Sequence, residues 1–424
     1  MSEWKEYRVK EFAEIVGGGT PSTKNERYFG GGISWITPRD LTNHKEKYIS
    51  KGDRSITKEG LNNSSAKLIP PNSILLTSRA PIGYLAISKN EVATNQGFKS
   101  LIVDSNLADY NFVYYLIKTN IERIKSLGSG TTFSEISASV VKNITFKLPS
   151  LPTQTAIAEI LSSLDDKIEL NNKINQELEN LAQTLFKRWF VDFEFPNENG
   201  DPYKSSGGVM VESELGLIPE GWEVGKFGSL CSITNGFAFK SKDFKEIGDN
   251  RVIKIRNISN GIVDILNTQY VSNSTTENLS KKYEIIEGDI LIAMTGAEVG
   301  KTGLVINSRK KLWLNQRVGK FEPKKDVFNV FIYNMFNVLK LSENVKDLAM
   351  GSAQPNISSK GIESIRCLLP TDKLIEEFSF NQINSFKLLL NNLHENQSLT
   401  NLRDTLLPKL ISGELTIEEL QQNT

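Results

Sequence analysis

An internal repeat constrains this chain more than any other feature of its sequence. The two halves align with only small insertions, and IPPNSILLTSRAPIGYLAI in the first matches IIEGDILIAMTGAEVGKTGLVI in the second. The other matched positions are Trp4 with Trp222, Ile15 with Ile233, Asn95-Gln96 with Asn315-Gln316, Gly130 with Gly351, Pro149 with Pro370, and Thr184-Leu185 with Thr405-Leu406. One duplicated unit therefore accounts for both halves of a chain too long for a single ordinary core.

The globular part of each copy has the pattern of a strand-rich domain. Short β-branched runs such as SILLT, YLAIS and SLIVD alternate with turn residues in the first copy, and DILIAM, GLVIN and VGKFE follow the same pattern in the second. A helical stretch follows each set, near 110–126 and 327–348. The pattern predicts an α+β chain with two similar sheet-rich α/β domains.

A long amphipathic helix is predicted after each globular part. From about residue 153 to about residue 190, apolar residues that include Leu181 recur at three- and four-residue steps without Gly or Pro. Such a helix spans roughly 57 Å at 1.5 Å per residue. The second copy supplies a counterpart that includes Leu402 and is interrupted late by Pro408.

The two helices are predicted to pack on each other as an antiparallel coiled coil about a pseudo-twofold axis, because that direction keeps two similar domains from colliding. The alternative is an apolar stripe that packs on a globular domain. The predicted seam comprises Leu164, Ile168, Asn171, Asn175, Leu178, Leu389, Asn392, Asn396 and Leu399. Its asparagines are expected to meet near the pseudo-dyad and to set the register. The alternative is that they face solvent on a helix flank.

These patterns predict five segments. Residues 1–152 form the first globular domain and 153–195 the central long helix. Residues 196–217 form a linker rich in Gly, Pro, Asn and Ser, 218–371 the second globular domain, and 372–424 the C-terminal helix and tail.

Composition narrows the classes of function. The 50 basic and 50 acidic residues balance, which is unusual for a protein that binds nucleic acid alone. The two cysteines and two histidines are far apart in sequence and predict neither a metal site nor a disulfide. Without an apolar run of eighteen residues or an apolar N-terminal stretch, no membrane segment is expected, and the expected location is cytoplasmic.

No motif predicts catalysis by this chain. GAEVGKTG, residues 296–303, resembles a phosphate-binding loop, but Thr295 stands where that spacing requires glycine, and GLVIN predicts a strand instead of a helix. A serine or cysteine nucleophile has no natural histidine base, and the Asn-Pro-Pro-aromatic motif of amino-methyltransferases is absent. Any chemistry is therefore expected to belong to another chain.

Four segments, in register with the repeat, carry a family resemblance. They are IVGGGTPSTKNERYFGGGISWITPRDL, IPEGWEVGKFGSLCSITNGFAF, LFKRWFVDFEF and LLPKLISGEL. With the order of globular domain and long helix repeated twice, they closely resemble the specificity subunit of type I restriction-modification enzymes.

The resemblance implies a non-catalytic subunit with two target recognition domains, each reading half of a split, asymmetric DNA sequence. It also implies that the helices hold two methyltransferase subunits, which modify adenine, and that motor-nuclease subunits join them. S-adenosylmethionine, ATP and magnesium would be bound by those partners. Two other classes stay open: a protein-interaction scaffold that uses the helix pair, and a solitary DNA-modifying enzyme.

Base readers are expected on loops, where Arg suits guanine and Asn or Gln suits adenine. The candidates are Arg39, Asn43, Arg79, Ser129, Thr131 and Thr132 in the first copy, and Arg256, Asn257, Arg317 and Gln354 in the second. The alternative for each is a turn-stabilising or surface residue.

Overall fold

The computed structural model describes residues 4–79, 81–128, 134–259, 261–349 and 355–422. The chain forms two compact units, one of Met1–Leu170 with Gln397–Thr424 and the other of Asn171–Asn396. The sequence predicts one separate segment for each long helix. The compact units instead divide both helices, so that each unit contains one globular domain and a piece of each helix.

The globular part of the first unit is built from three sheets and short helices. The strands are β1 (Lys5–Arg8), β2 (Ala13–Gly17), β3 (Phe29–Ile36), β4 (Tyr48–Ile49), β5 (Arg54–Ile56), β6 (Leu68–Ile69), β7 (Ile74–Ser78), β8 (Ile82–Ser88), β9 (Val92–Thr94), β10 (Phe98–Val103) and β11 (Thr145–Leu148). The helices are α1 (Val9–Phe12), α2 (Lys58–Asn62), α3 (Tyr110–Thr119), α4 (Ile121–Ser126) and α5 (Ala138–Asn143), followed by the long helix α6 (Leu151–Phe190). The sheet orders are β2-β10-β7-β8-β4, β5-β3-β9-β6 and β1-β11.

The second unit repeats this plan. Its strands are β12 (Met210–Ser213), β13 (Gly216–Pro219), β14 (Glu223–Lys226), β15 (Cys231–Asn235), β16 (Phe244–Lys245), β17 (Asn250–Ile253), β18 (Ile258–Ser259), β19 (Gly261–Val263), β20 (Gln269–Val271), β21 (Glu284–Ile285), β22 (Ile290–Ala293), β23 (Thr302–Leu304), β24 (Lys311–Leu314), β25 (Val318–Pro323) and β26 (Arg366–Leu369). The helices are α7 (Asn273–Thr276), α8 (Phe328–Val338), α9 (Leu341–Ala349), α10 (Ser359–Glu363) and the long α11 (Asp372–Ser412); α12 (Ile417–Gln422) belongs to the first unit.

The sheet topology confirms the duplication. The order β2-β10-β7-β8 in the first unit corresponds to β15-β25-β22-β23 in the second, and β1-β11 corresponds to β14-β26. In both units a parallel pair, β3 with β9 or β17 with β24, lies in a separate sheet. The central strands β7 and β22 are buried along their whole length, which explains the continuous apolar runs ILL in β7 and ILIA in β22.

In the first unit, the start of α6 and the end of α11 run antiparallel and share a core. Ile157 and Leu161 lie in one buried cluster with Leu407 and Leu410. Helix α11 continues through Pro408 to Ser412, so the predicted interruption is wrong. Proline removes one helical hydrogen bond, but Leu410 beyond it is completely buried, and that packing favours continuation of the helix.

In the second unit, the remaining parts of the two helices are also antiparallel. Asn171 Nδ2 donates to Asn396 Oδ1 at 2.9 Å, and Asn392 Nδ2 donates to Asn175 Oδ1 at 2.9 Å. Farther along, the rings of Phe186 and Phe378 are 5.7 Å apart. These are the asparagine contacts that the repeat register predicts.

The apolar members of the predicted seam differ in burial. Leu389 is buried, and the half-buried members are Leu164, Ile168, Leu178 and Leu399. The inclusion of Leu181 and Leu402 in the stripe was wrong, because their side chains are 60% and 48% exposed. These two leucines match under the repeat, so the same outward position recurs in both helices.

The predicted linker is folded. Strands β12 and β13 form an antiparallel hairpin within and just beyond it, and Phe195 stacks on Tyr203 and Trp222 at ring distances of 4.5 and 5.7 Å. Its Gly and Pro content indicated turns correctly but did not reveal that aromatic residues anchor them. None of the helices within the described ranges has both the length and the apolar character needed to cross a membrane.

Candidate nucleic-acid interface

In the first unit, one turn joins the ends of three strands. Strands β3 and β9 are parallel and therefore end at the same sheet edge. The Asn95 amide donates to Ile36 O at 3.0 Å, and the Ser78 amide donates to Gly97 O at 2.7 Å. The turn at 95–97 is thus fixed between the end of β3 and the end of β7.

The second unit has the same backbone frame. The Asn315 amide donates to Ile253 O at 3.1 Å, and the Met294 amide donates to Arg317 O at 3.1 Å. A side chain at Gly18 or at Gly236 would clash with the carbonyl of Asn95 or of Asn315, which explains why glycine occupies both positions. We call this arrangement the Asn-Gln frame: the turns at 95–97 and 315–317 with the strand ends that they bind.

Arg39 and Arg256 occupy equivalent positions on this frame. Arg39 lies in a 3-10 turn at Pro38–Leu41, directly after β3, and Arg256 lies in a 3-10 turn at Ile255–Asn257, directly after β17. Both side chains are exposed, and within the described ranges neither guanidinium has an ion-pair or hydrogen-bond partner. Both are therefore available to an external ligand.

Asn257 must be removed from the candidate base readers. It is 2% exposed, its Oδ1 accepts from the Lys254 amide at 3.0 Å, and its Nδ2 donates to Asn267 O at 2.9 Å. Its counterpart is Asp40, whose Oδ2 accepts from the Thr37 amide at 2.6 Å. Both residues cap the turn that presents the neighbouring arginine, so the alternative of a turn-stabilising residue is the correct one for Asn257.

Two further arginines occupy different positions on the frame. Arg79 follows Ser78, is half-buried, and lies 3.6 Å from the Glu135 carboxylate. Its counterpart in the second unit is Thr295. The backbone of Arg79 forms an isolated antiparallel β-bridge with Glu135, and Thr295 forms the same bridge with Asn356. Arg317 is exposed and stands where the first unit has Gly97. The same backbone therefore presents different chemistry in the two units.

The remaining predicted base readers contribute little to the description of this interface. Asn43 is exposed just beyond the Arg39 turn. Ser129, Thr131, Thr132 and Gln354 lie outside the described residues.

Sequence reasoning missed Gln96 and Gln316. Each is exposed at the tip of its Asn-Gln turn. The sequence contains the signal, because the repeat aligns Asn95-Gln96 with Asn315-Gln316, but a match between the copies indicates duplication and does not by itself indicate a base reader.

Sequence reasoning also missed Lys254. Its Nζ lies 3.5 Å from the centre of the Phe244 ring and 2.5 Å from Gln269 Oε1. Burial lowers the pKa of Lys254, and the neighbouring Arg256 charge acts in the same direction. Residues 254–257 therefore place an anchored lysine beside Arg256, an arginine without a side-chain partner among the described residues.

The phosphate-loop resemblance is not supported by the local fold. Gly296–Glu298 form a 3-10 turn that leads into β23, and Lys301 pairs with Glu298. A strand supplies no helix N-terminus to hold phosphate. Within the described residues, no group of three or more His, Cys, Asp or Glu side chains could hold a metal ion.

Comparison with known proteins gives one consistent result. The family model for the type I restriction modification DNA specificity domain matches residues 1–180 and 219–400. The type I restriction enzyme MjaIX specificity subunit of Methanocaldococcus jannaschii is 33% identical over 99% of this chain and 95% of its own length. The HindI specificity subunit of Haemophilus influenzae is 26% identical over 98% of this chain and 100% of its own.

A solved structure has the same fold. The crystal structure of the type I S subunit from M. genitalium superposes with a TM-score of 0.62 at 18% identity, covering 96% of each chain. With a family model that matches both repeats and a relative that spans nearly the whole sequence, the chain belongs to the family of type I restriction-modification DNA specificity subunits.

Proposed function

We propose that this chain selects the DNA target of a type I restriction-modification complex and that each Asn-Gln frame reads one half of a split, asymmetric sequence. The observation that carries the proposal is the contrast between the two frames. Both keep an exposed arginine and an exposed glutamine in matching places, Arg39 with Gln96 and Arg256 with Gln316. They differ at Arg79 and Arg317, which is the difference that two unlike half-sites require.

The chemistry of these side chains suits base recognition. Arginine can donate two parallel hydrogen bonds to guanine, and glutamine can both donate to and accept from adenine in the major groove. Arg39 and Arg256 are presented by capped turns that follow the buried ends of β3 and β17. Rigid presentation of a few donors favours discrimination between bases over general attraction to phosphate.

The balance of charge supports dependence on partners. A chain with 50 basic and 50 acidic residues has little net attraction for DNA, whose non-specific affinity depends on phosphate neutralisation. In this proposal two methyltransferase subunits supply the remaining phosphate contacts and bind S-adenosylmethionine. Motor-nuclease subunits that use ATP and magnesium join that core. The present chain contributes selection and no catalytic group.

Domain exchange tests the proposal. Residues 1–152 would be replaced by the matching segment of a family member with a known target, and the chimera produced with the methyltransferase subunits. Methylome sequencing should show one half of the methylated motif replaced and the other half unchanged. A motif that stays whole, or changes in both halves, would contradict the assignment of one half-site to each domain.

A further inference from the structure

The folded segment between α6 and the second globular domain is strongly acidic. Residues 191–223 contain eight acidic residues against the single Lys204, a formal charge of −7, so the rest of this neutral chain carries +7. All the acidic side chains are exposed except the half-buried Glu194. This segment, which we call the acidic hairpin, concentrates negative charge in one short stretch.

The acidic hairpin also exposes apolar side chains. Leu215 and Leu217 are 53% and 59% exposed, and Val209 is 55% exposed. In the hairpin register Glu212 lies opposite Leu217, so a carboxylate and an apolar group share one face of the two strands. Exposed apolar residues gathered within a polar surround are typical of protein interaction sites.

The hairpin borders an apolar cleft within the second unit. Leu215 and Val191 form part of its wall with Leu339, Phe331 and Trp222, and the cleft has a volume of about 280 Å³. At its edge Arg366 pairs with Glu214 at 2.6 Å. A cleft of this kind can take up an apolar anchor residue from a partner, as the energetically dominant contacts of protein interfaces do.

The hairpin is held rigidly, although much of its surface is exposed. The Tyr203 hydroxyl donates to Val209 O at 2.8 Å, and the Tyr203 amide donates to Phe195 O at 2.8 Å. Gly207 and Gly216 adopt positive φ angles of 92° and 97°, which allow the tight turns. A fixed surface loses little conformational entropy when a partner binds.

Charge discriminates among the possible occupants. DNA phosphates would be repelled by a charge of −7. A symmetric contact with a second copy would bring the same acidic surface against itself. A partner with basic residues around an apolar protrusion would complement both the negative charge of the hairpin and its apolar cleft. An enzyme that binds DNA carries basic surface, so it fits this description.

We infer that the acidic hairpin and its cleft form a docking site for one of the two methyltransferase subunits, which inserts an apolar side chain beside Leu215 and surrounds it with basic residues. The inference rests on the proposed function, because only a specificity subunit has this partner. It assigns the contact to the hairpin, which is separate from the base-reading frames.

The test measures binding of the purified methyltransferase subunit to the full chain without DNA, by isothermal titration calorimetry at two salt concentrations. The double variant Leu215→Asp/Leu217→Asp should bind one of its two methyltransferase subunits at least tenfold more weakly than wild type. Glu212→Lys/Glu220→Lys should also bind more weakly, with less dependence on salt. Ile286→Asp is the matched control, because Ile286 is 66% exposed and lies outside the hairpin; it should bind as wild type does.

The outcomes distinguish failure of this inference alone from failure of the proposed function. Wild-type affinity in the leucine variant overturns the docking site while leaving target selection intact. The docking site is also overturned if that variant keeps the methyltransferase but loses DNA, or if only self-association of the chain changes in sedimentation. Failure of the wild-type chain to bind the methyltransferase at all would contradict the proposed function together with the inference.

Discussion

Asn392 donates a 2.9 Å hydrogen bond from Nδ2 to the Oδ1 of Asn175, and both side chains are 7% exposed. The contact between Asn171 and Asn396 is its equivalent under the repeat, because the offset of 221 residues relates Asn171 to Asn392 and Asn175 to Asn396. Asn175 Nδ2 has no further hydrogen-bond partner among the described residues. A buried polar pair of this kind costs stability and favours one register over its neighbours.

Replacement of one asparagine should therefore be worse than replacement of both. We expect Asn175→Leu to lower the free energy of unfolding by about 1–3 kcal/mol, because the amide of Asn392 is left buried without its acceptor. Asn175→Leu/Asn392→Leu should recover most of this loss or exceed wild-type stability. Thermal denaturation measures the difference, with the exposed Asn391→Leu as control. Equal destabilisation by the single and double variants would mean that the pair is not energetically coupled.

Arg39 and Arg256 should control separate halves of the target. Arg39→Ala is expected to reduce discrimination at one position of one half-site by about 1–3 kcal/mol, and Arg256→Ala should do the same in the other half. The measurement is the affinity of the complex with methyltransferase for duplexes that carry single base changes. The exposed Arg309→Ala serves as control. Uniform weakening by either variant across all duplexes would identify a phosphate contact instead of a base contact.

The features that the sequence predicted well are those that depend on long periodic patterns. The pairing of Asn171 with Asn396 follows from two helices of about forty residues and one repeat offset, and few alternatives satisfy both. The burial of Asn257 could not be predicted in this way. The side-chain amide of Asn257 is hydrogen-bonded to the backbone amide of Lys254 and to the carbonyl of Asn267, ten residues farther along. The sequence of residues 254–257 is equally compatible with an exposed loop.

The hairpin shows a second limit of sequence reasoning. Gly and Pro correctly indicated turns between 196 and 217, but whether turns are folded depends on what anchors them. The anchor is the stack of Phe195 with Tyr203 and Trp222, which joins residues as much as 27 positions apart. The exposed Leu181 shows the same limit, because an apolar residue at helical spacing is buried only where a neighbour covers it.

In the first unit, Arg403 is expected to stabilise the attachment of α3 to the long helices. Its Nη1 donates to Asp165 Oδ1 at 2.6 Å, while the Tyr115 hydroxyl donates to Asp165 Oδ2 at 2.7 Å. The ion pair is largely buried. Arg403→Leu therefore leaves the Asp165 carboxylate with only the Tyr115 hydroxyl of these two partners, and it should lower the free energy of unfolding by about 1–3 kcal/mol.

Lys187→Leu is the matched control for Arg403→Leu. It breaks the exposed Lys187–Asp192 pair at 2.7 Å and should cost less than about 1 kcal/mol. Urea denaturation compares the two variants. If their losses are equal, burial does not strengthen the Arg403 pair.

The ionisation of Asp289 should make the second unit more stable in mild acid than at neutral pH. Burial raises the pKa of Asp289 to about 6, against the opposing effects of the Ile286 amide and Lys320. Between the ordinary pKa of about 4 and this raised value, the folded chain keeps a proton that the unfolded chain has released, so this group's contribution to stability falls as pH rises through that window. We expect Asp289→Asn to remove this contribution, about 2–3 kcal/mol between pH 4 and pH 7, and to raise the melting temperature at pH 7.5 more than at pH 5. The exposed Asp326→Asn should leave the pH dependence of melting as it is in wild type. If Asp289→Asn melts with wild-type pH dependence, Asp289 is ionised in the folded chain throughout this range and the shift is absent.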